Sequence, residues 1–231
     1  MTAARPSKPA FSRSKIVGVI YSVADLEKAT RLRRPPDLFE LRLDALGYHL
    51  GEIERLLPRL EAPLIITARD PAEGGANDLP AAKRRSLFEQ FLPRAAFVDV
   101  ELRSACIPRS ILYAVNSSGV RLILSVHELH RAATTSELEH WLERARSLRA
   151  NILKVAVRTD TADDLDQLLE FVRTARDRIT IAAMGVGRFG RVSRIRLAEN
   201  GSALTYVHLA TPQQVGQLSL AAARRCIISS R

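Results

Sequence analysis

The sequence predicts a single-domain α/β protein of the (β/α)8 barrel (TIM barrel) class, and three observations carry that prediction. Eight short β-branched or alternating runs begin 23 to 34 residues apart. The segments between them have helical periodicity, and strands that alternate with helices pair in parallel through crossovers. The chain of 231 residues has the length of one closed barrel. An open doubly wound sheet is the rival architecture. No Gly-rich phosphate turn follows the first run, VGVIYSVAD, as a dinucleotide fold would require.

In chain order, residues 1–14 (MTAARPSKPAFSRS) are small, interrupted by proline and without periodicity, so they predict a flexible tail ahead of a barrel over 15–231. The predicted strands are 15–20, 38–44, 63–69, 97–102, 121–128, 152–158, 178–184 and 203–209. Between them, 161–176 carries Leu165, Leu168, Leu169 and Val172 at helical spacing, with Thr161 as its cap. Over 134–149, Leu138, Trp141, Leu142, Ala145 and Leu148 form a similar stripe behind a Thr134–Glu137 capping box. Further helices are predicted at 23–34, 50–60, 80–94, 107–117 and 213–228.

Composition narrows the function. Apolar residues at 46% and charged residues at 26% describe an ordinary globular chain. Cys106 and Cys226 leave no disulfide framework and no zinc spacing. No apolar run reaches the ~20 residues of a membrane span, and no signal-like start is present, so a reducing cytoplasm is the expected compartment. The net charge of +10 favours anionic partners. Its basic residues are scattered and aromatics are only 5%, which argues against nucleic acid and for an acidic small molecule. Only five of the 35 basic residues are lysines, so a lysine in an unusual place stands out.

Barrel strands alternate between lumen and helix layer. That rule sets Glu40, Arg42 and Asp44 on one face, opposite Phe39, Leu41 and Leu43. It groups Ile65, Thr67 and Arg69; Asp99 and Glu101; Ser125 and His127; and Lys154, Ala156 and Arg158. Five consecutive strands thus aim charged or hydroxyl groups at one place, where charges must be paired or used. A lumen-filling ion-pair network would account for Asp44, Asp99 and Glu101. It accounts less well for Lys154 in the apolar run LKVAV, where desolvation lowers an amine's pKa and a neutral amine can attack a ketone. The plainer alternative for Lys154 is pairing with Glu40. Among the histidines, His127 alone falls on an inward face near a strand's C-terminal end; His49, His130 and His140 fall in loops or helices, and His208 is ambiguous.

Five motifs then occur in order: E-x-R-x-D at 40–44, R-x-x-x-E-G-G at 69–75, S-x-H-E at 125–128, L-K-V-A-V at 153–157 and M-G…G-x-x-S-R at 184–194. Together they resemble the type I 3-dehydroquinate dehydratase family over about residues 15–225. The resemblance implies a (β/α)8 barrel, usually dimeric, without metal or cofactor, that dehydrates 3-dehydroquinate to 3-dehydroshikimate in the shikimate pathway. It implies Lys154 as the Schiff-base lysine, His127 as general base and Glu73 as the carboxylate that orients the histidine. It implies Arg194 as the clamp on the substrate carboxylate. Glu40, Arg42, Arg69 and Gln217 would bind the rest of the substrate, joined by Gln213.

The sequence departs from the family in three places. In the closing loop the usual S-x-P-G-Q becomes QQVGQ, so Gln213 replaces serine and Val215 replaces proline. The segment Met184–Arg194 is two residues longer, bringing Arg188 or Phe189 near the pocket. The tail is short for the hairpin that usually closes the barrel bottom. The competing function is a non-catalytic barrel that binds dehydroquinate for regulation; keeping Lys154, His127 and Glu73 together argues against it. An aldolase of phosphosugars is disfavoured because ATPQQVGQLS lacks a Gly-rich phosphate cradle.

Overall fold

The period-two alternation read from the strands is realised as a closed parallel barrel. The computed structural model describes residues 13–103, 109–117 and 119–228. Its first half runs β1 (Lys15–Ile20), α1 (Val23–Ala29), β2 (Leu38–Arg42), α2 (Leu43–Leu46), α3 (Leu50–Leu56), β3 (Leu64–Thr67), α4 (Ala81–Phe91), β4 (Phe97–Glu101) and α5 (Arg109–Ser117). The second half runs β5 (Arg121–Glu128), α6 (Thr135–Ser147), β6 (Ile152–Arg158), α7 (Ala162–Ala175), β7 (Thr180–Val186), α8 (Gly190–Glu199), β8 (Leu204–His208), β9 (Leu218–Ser219) and α9 (Leu220–Ala223). The strand order is β7-β6-β5-β4-β3-β2-β1-β8-β9, and every pair is parallel.

The seam between β7 and β8 closes the ring. The Ala203 N–H donates to Ile181 O at 2.7 Å. The Ser202 hydroxyl accepts from Ala183 N–H at 2.9 Å and donates to Ala183 O at 3.2 Å. Two apolar layers follow from the alternation. Phe39, Leu41, Leu124, Val126, Leu153 and Val155 pack outward against the helices. Val17, Leu38, Ile65, Phe97, Ile123 and Ile152 fill the lower lumen. The charged groups occupy the lumen above them.

Local signals set several helix starts. Thr134 and Thr161 both cap as expected, each in a capping box, with Glu137 and Asp164. Such caps typically contribute ~1 kcal/mol. Ser22 and Asp25 form a third box at α1, and the Asp25 carboxylate also accepts from Ala210 N–H at 2.9 Å, tying the end of β8 to the start of α1.

Some boundaries differ from the sequence reading. Strand β2 stops at Arg42, because Leu43–Leu46 turns into a helix; Asp44 therefore reaches the site from α2 rather than from a strand face. Strand β3 stops at Thr67, and Arg69 lies just beyond its end. The helix predicted at 213–228 starts only at Leu220, since 213–217 is loop and Leu218–Ser219 adds a ninth strand on β8. The helices expected at 23–34, 50–60 and 80–94 are shorter, and two of them end at Pro-containing 3-10 turns, Leu57–Arg59 and Leu92–Arg94. Arg158 was expected to face the lumen; instead it is exposed on the rim, paired with Asp160. Within the expected tail, Ser14 is buried with its hydroxyl 2.9 Å from that of Thr205, and Arg13 pairs with Asp37 at 2.6 Å. Residues 1–12 and Cys106 lie outside the described residues. Among the described residues, no helix is long and apolar enough to cross a membrane.

Candidate active site

One cavity opens at the C-terminal ends of the strands. It is lined by Glu40, Arg42, Arg69, Glu73, His127, Lys154, Arg194, Gln213 and Gln217, together with Val19, Tyr21, Gly74, Leu129, Ala156, Met184, Val186, Tyr206 and Gln214. Every residue singled out from the sequence as catalytic or substrate-binding therefore meets in one place.

Lys154 projects from β6 into the lumen and is 4% exposed. Leu153 and Val155, its neighbours in sequence, and Val157 pack outward in the helix-layer core, so they do not surround its amine. Its Nζ instead donates to Asp99 Oδ2 at 2.8 Å and to Glu40 Oε1 at 3.1 Å. The pairing with Glu40 weighed from the sequence is thus present, and Asp99 adds a second carboxylate. Thr67 donates to the same Glu40 oxygen at 3.1 Å. Arg69 donates to Asp99 at 3.0 Å, to Glu101 at 3.2 Å and to the Ser125 hydroxyl at 2.6 Å, while Ser125 donates on to Asp99 at 2.6 Å. Strong burial opposes ionising Asp99, but Arg69 and Lys154 outweigh it and hold the carboxyl well below its usual range.

His127 stands one pleat above Ser125, whose register partner on β6 is Lys154. Its Nδ1 lies 3.1 Å from Glu73 Oε2, and its backbone N–H donates to that same oxygen at 3.0 Å. Burial pushes the imidazole well below its ordinary pKa, reinforced by the positive charges of Arg69 and Lys154. The ring is therefore neutral near pH 7, and an ionised Glu73 assigns the proton to Nδ1 and the lone pair to Nε2. Burial also raises the Glu73 carboxyl, to about 7, against the opposing pull of Arg69.

The E-G-G turn explains how Glu73 reaches this position. Asp70 caps the short 3-10 turn Pro71–Glu73, and Gly75 lies so close to the Arg69 carbonyl that a Cβ there would approach it to 2.2 Å. Buried Asp44 ties the following loop down: it accepts from Ala76 N–H at 2.9 Å and pairs with Arg42 at 2.7 Å. Arg42 in turn lies over the Tyr21 ring, 5.2 Å from its centroid.

The opposite wall is built differently. Arg194, on α8, is 4% exposed and has no carboxylate partner among the described residues. Its NH1 donates to Gly190 O at 2.7 Å and Gly185 O at 2.9 Å, and its buried Nε has no partner. Burial alone lowers its pKa to about 10, which leaves it a cation at neutral pH. A buried guanidinium without a counter-ion is suited to a ligand carboxylate. The closing loop rests beside it. Gly216, at φ +81°, sits where a Cβ would come within 2.7 Å of Arg191 N. The Gln217 side-chain oxygen accepts from Gln213 N–H at 2.8 Å, and both residues line the cavity. Arg188 and Phe189, from the longer segment, do not line this cavity; Arg188 lines an adjoining groove and Phe189 packs against the helix-layer core.

Sequence reasoning missed Tyr206 and Met184 as parts of the site, and it placed Asp99 in a lumen ion-pair network without naming it as a partner of Lys154. The alternation of Leu204, Tyr206 and His208 on β8 was a usable signal for Tyr206. Among the described residues no group of three His, Cys, Asp or Glu side chains is placed to hold a metal ion.

A parallel barrel with a buried lysine, a neutral histidine and an unneutralised arginine at its C-terminal mouth defines an enzyme of the (β/α)8 class that acts on a small anion. The sequence model of the type I 3-dehydroquinase family matches residues 21–229. The chain is 30% identical over 205 residues to the 3-dehydroquinate dehydratase of Methanocella arvoryzae, covering 88% of this chain and 91% of that one. It is 33% identical over 185 residues to that of Pyrococcus abyssi, covering 80% and 83%. The crystal structure of 3-dehydroquinate dehydratase from Geobacillus kaustophilus shares the fold with a TM-score of 0.84, at 24% identity over 95% of this chain and 93% of that one. The chain belongs to the type I 3-dehydroquinase family. Membership makes it a carbon–oxygen lyase of the hydro-lyase kind, dehydrating 3-dehydroquinate.

Proposed function

We propose that the dehydration runs through a Schiff base on Lys154, with His127 as the proton carrier. The observation that carries the reading is the meeting of Lys154 and His127 in one cavity, with the imidazole neutral and anchored by Glu73. Lys154 gives up a proton and its amine attacks the C3 ketone. The Nζ–C3 bond forms, the carbonyl oxygen leaves as water, and the nitrogen of the protonated imine carries the positive charge. The imine draws electrons from the C2–H bond as His127 Nε2 takes that proton. The resulting enamine expels the C1 hydroxyl, which leaves as water with the proton from His127. Water then hydrolyses the iminium, returning the Lys154 amine and releasing 3-dehydroshikimate.

In this reading Arg194 binds the substrate carboxylate, and Glu40, Arg42, Arg69, Gln213 and Gln217 hold the ring hydroxyls and the ketone side. Arg69 and Glu40 have a second task, because both belong to the ion-pair network around Lys154. The family resemblance carries the homodimer, the shikimate pathway and the absence of metal or cofactor, and the sequence composition carries the cytoplasmic compartment. The deciding experiment is borohydride reduction with 3-dehydroquinate, followed by intact mass. Wild type is expected to gain one ligand mass and Lys154→Ala none, with dehydration abolished in the variant. Labelling of a different lysine would reject the assignment.

A further inference from the structure

The lysine chemistry leaves a buried aromatic residue of the lumen without a part. Tyr206 faces inward from β8 and is 5% exposed. Its ring lies under the Lys154 amine, with Nζ 4.0 Å from the centroid. Its hydroxyl is buried and has no hydrogen-bond partner among the described residues. Burial holds that phenol well above its ordinary pKa, so the ring stays neutral.

The contacts of Nζ respond differently to condensation. As an ammonium, Nζ has three N–H bonds, and Asp99 and Glu40 use two of them. Condensation with the ketone gives a protonated imine and one water. The single positive charge stays on nitrogen, but only one N–H remains. At most one of the two carboxylate bonds can then persist at full strength. A ring face needs no N–H; it attracts the cation through its quadrupole. We infer that Tyr206 is a positioning residue for the Schiff-base step: its ring face holds the cationic nitrogen of the protonated imine and of the transition state leading to it, where condensation has removed N–H bonds that serve Asp99 and Glu40 in the ammonium. The inference rests on the Schiff-base reading of the same site and adds to it the contact that keeps the charged nitrogen in place. The hydroxyl has no part in it.

The test replaces Tyr206 in three ways and measures the rate of adduct formation by rapid borohydride quench and intact mass. Tyr206→Phe keeps the ring face and is expected within about twofold of wild type. Tyr206→Leu removes it and is expected to slow adduct formation roughly 5- to 30-fold, the rate equivalent of a desolvated cation–π contact, with a smaller change in KM. The third set places phenylalanines of increasing ring fluorination at 206. Fluorination drains the ring face of charge while nearly preserving shape, so the rate should fall stepwise. A flat rate across the fluorinated set overturns the inference, and it does so even if the leucine variant fails to fold. A leucine variant that traps as fast as wild type, or a phenylalanine variant as slow as leucine, also overturns it. No adduct in wild type would reject the Schiff-base reading itself; an adduct in wild type with a flat series rejects only the role of Tyr206.

Discussion

The two walls of the cavity handle buried polarity in opposite ways. On the wall made by β2 to β6, the buried cations among the described residues are paired with carboxylates, Lys154 with Glu40 and Asp99, Arg69 with Asp99 and Glu101, Arg42 with Asp44, and Arg84 Nε, on α4 behind them, is the one buried side-chain atom there without a partner. On the wall made by β7, α8, β8 and the closing loop, buried polar atoms lack partners: Arg194 Nε, Tyr206 OH and Gln213 Oε1. Removing one member of a matched buried network leaves an uncompensated charge, so that wall is rigid and intolerant. An unmatched buried donor costs folding energy and gains it back when a ligand supplies the acceptor. The matched wall suits chemistry that needs fixed groups, and the unmatched wall suits recognition.

The largest effect expected from breaking this contrast lies on the matched wall. His127→Ala should still form the reducible adduct but lose turnover by ~10²–10⁴-fold, the usual size of a general-base contribution. The substitution leaves Asp99, Glu40 and Lys154 paired, so the adduct should accumulate in mass spectra. Turnover near wild type would move the base elsewhere.

Crossing to the unmatched wall, Arg194→Lys should raise KM more than it lowers kcat. Lysine keeps the charge but loses the fork, and a charged hydrogen bond contributes about 1.5–3 kcal/mol, or roughly 10–150-fold in affinity. An unchanged KM would seat the substrate carboxylate on another cation of the cavity, with Arg42 the first to test.

The pH profile sharpens the contrast on the matched wall. Glu73 is raised to about 7 by burial. It is a carboxylate above that pH and a carboxylic acid below it, and only the carboxylate fixes the Nδ1–H tautomer of His127. The kcat/KM of wild type should therefore fall as pH drops through about 7, and Glu73→Gln should lose that limb. His127 cannot produce it, since its own pKa lies well below 6.5. A limb near 7 that survives in Glu73→Gln would assign the titration to another group.

The smallest effect is expected in the closing loop. Gln217→Ala removes one neutral hydrogen bond to substrate and the Gln213 N–H contact, which predicts a rise in KM of roughly 2- to 10-fold with little change in kcat. Gln213→Ser with Val215→Pro should lower KM, because proline leaves the open loop fewer states to lose on closure. Silence of both variants would show that this loop does not complete the unmatched wall.

Much of this site was readable from local pattern. Side chains alternate across a strand, so the order of residues in LKVAVR already set Lys154 apart from Leu153 and Val155, whatever the rest of the chain did. The same rule separated Glu40 from Leu41 and His127 from Val126, and the spacing of eight such runs determined the barrel. The rule fails where a strand ends, as at Leu43, where the backbone turns into a helix and Asp44 reaches Arg42 by another route. It is also silent about partners. Lys154 and Glu40 are 114 residues apart and meet only because the closed sheet sets opposing strands at a fixed stagger across the lumen. The same closure surrounds Lys154 with carboxylates, leaves Arg194 with backbone carbonyls alone, and slides the Tyr206 ring beneath the amine. Which face a residue takes is a property of its own strand and was determined by sequence alone. What it meets there depends on register and shear around the whole ring, and only the tertiary structure decided that.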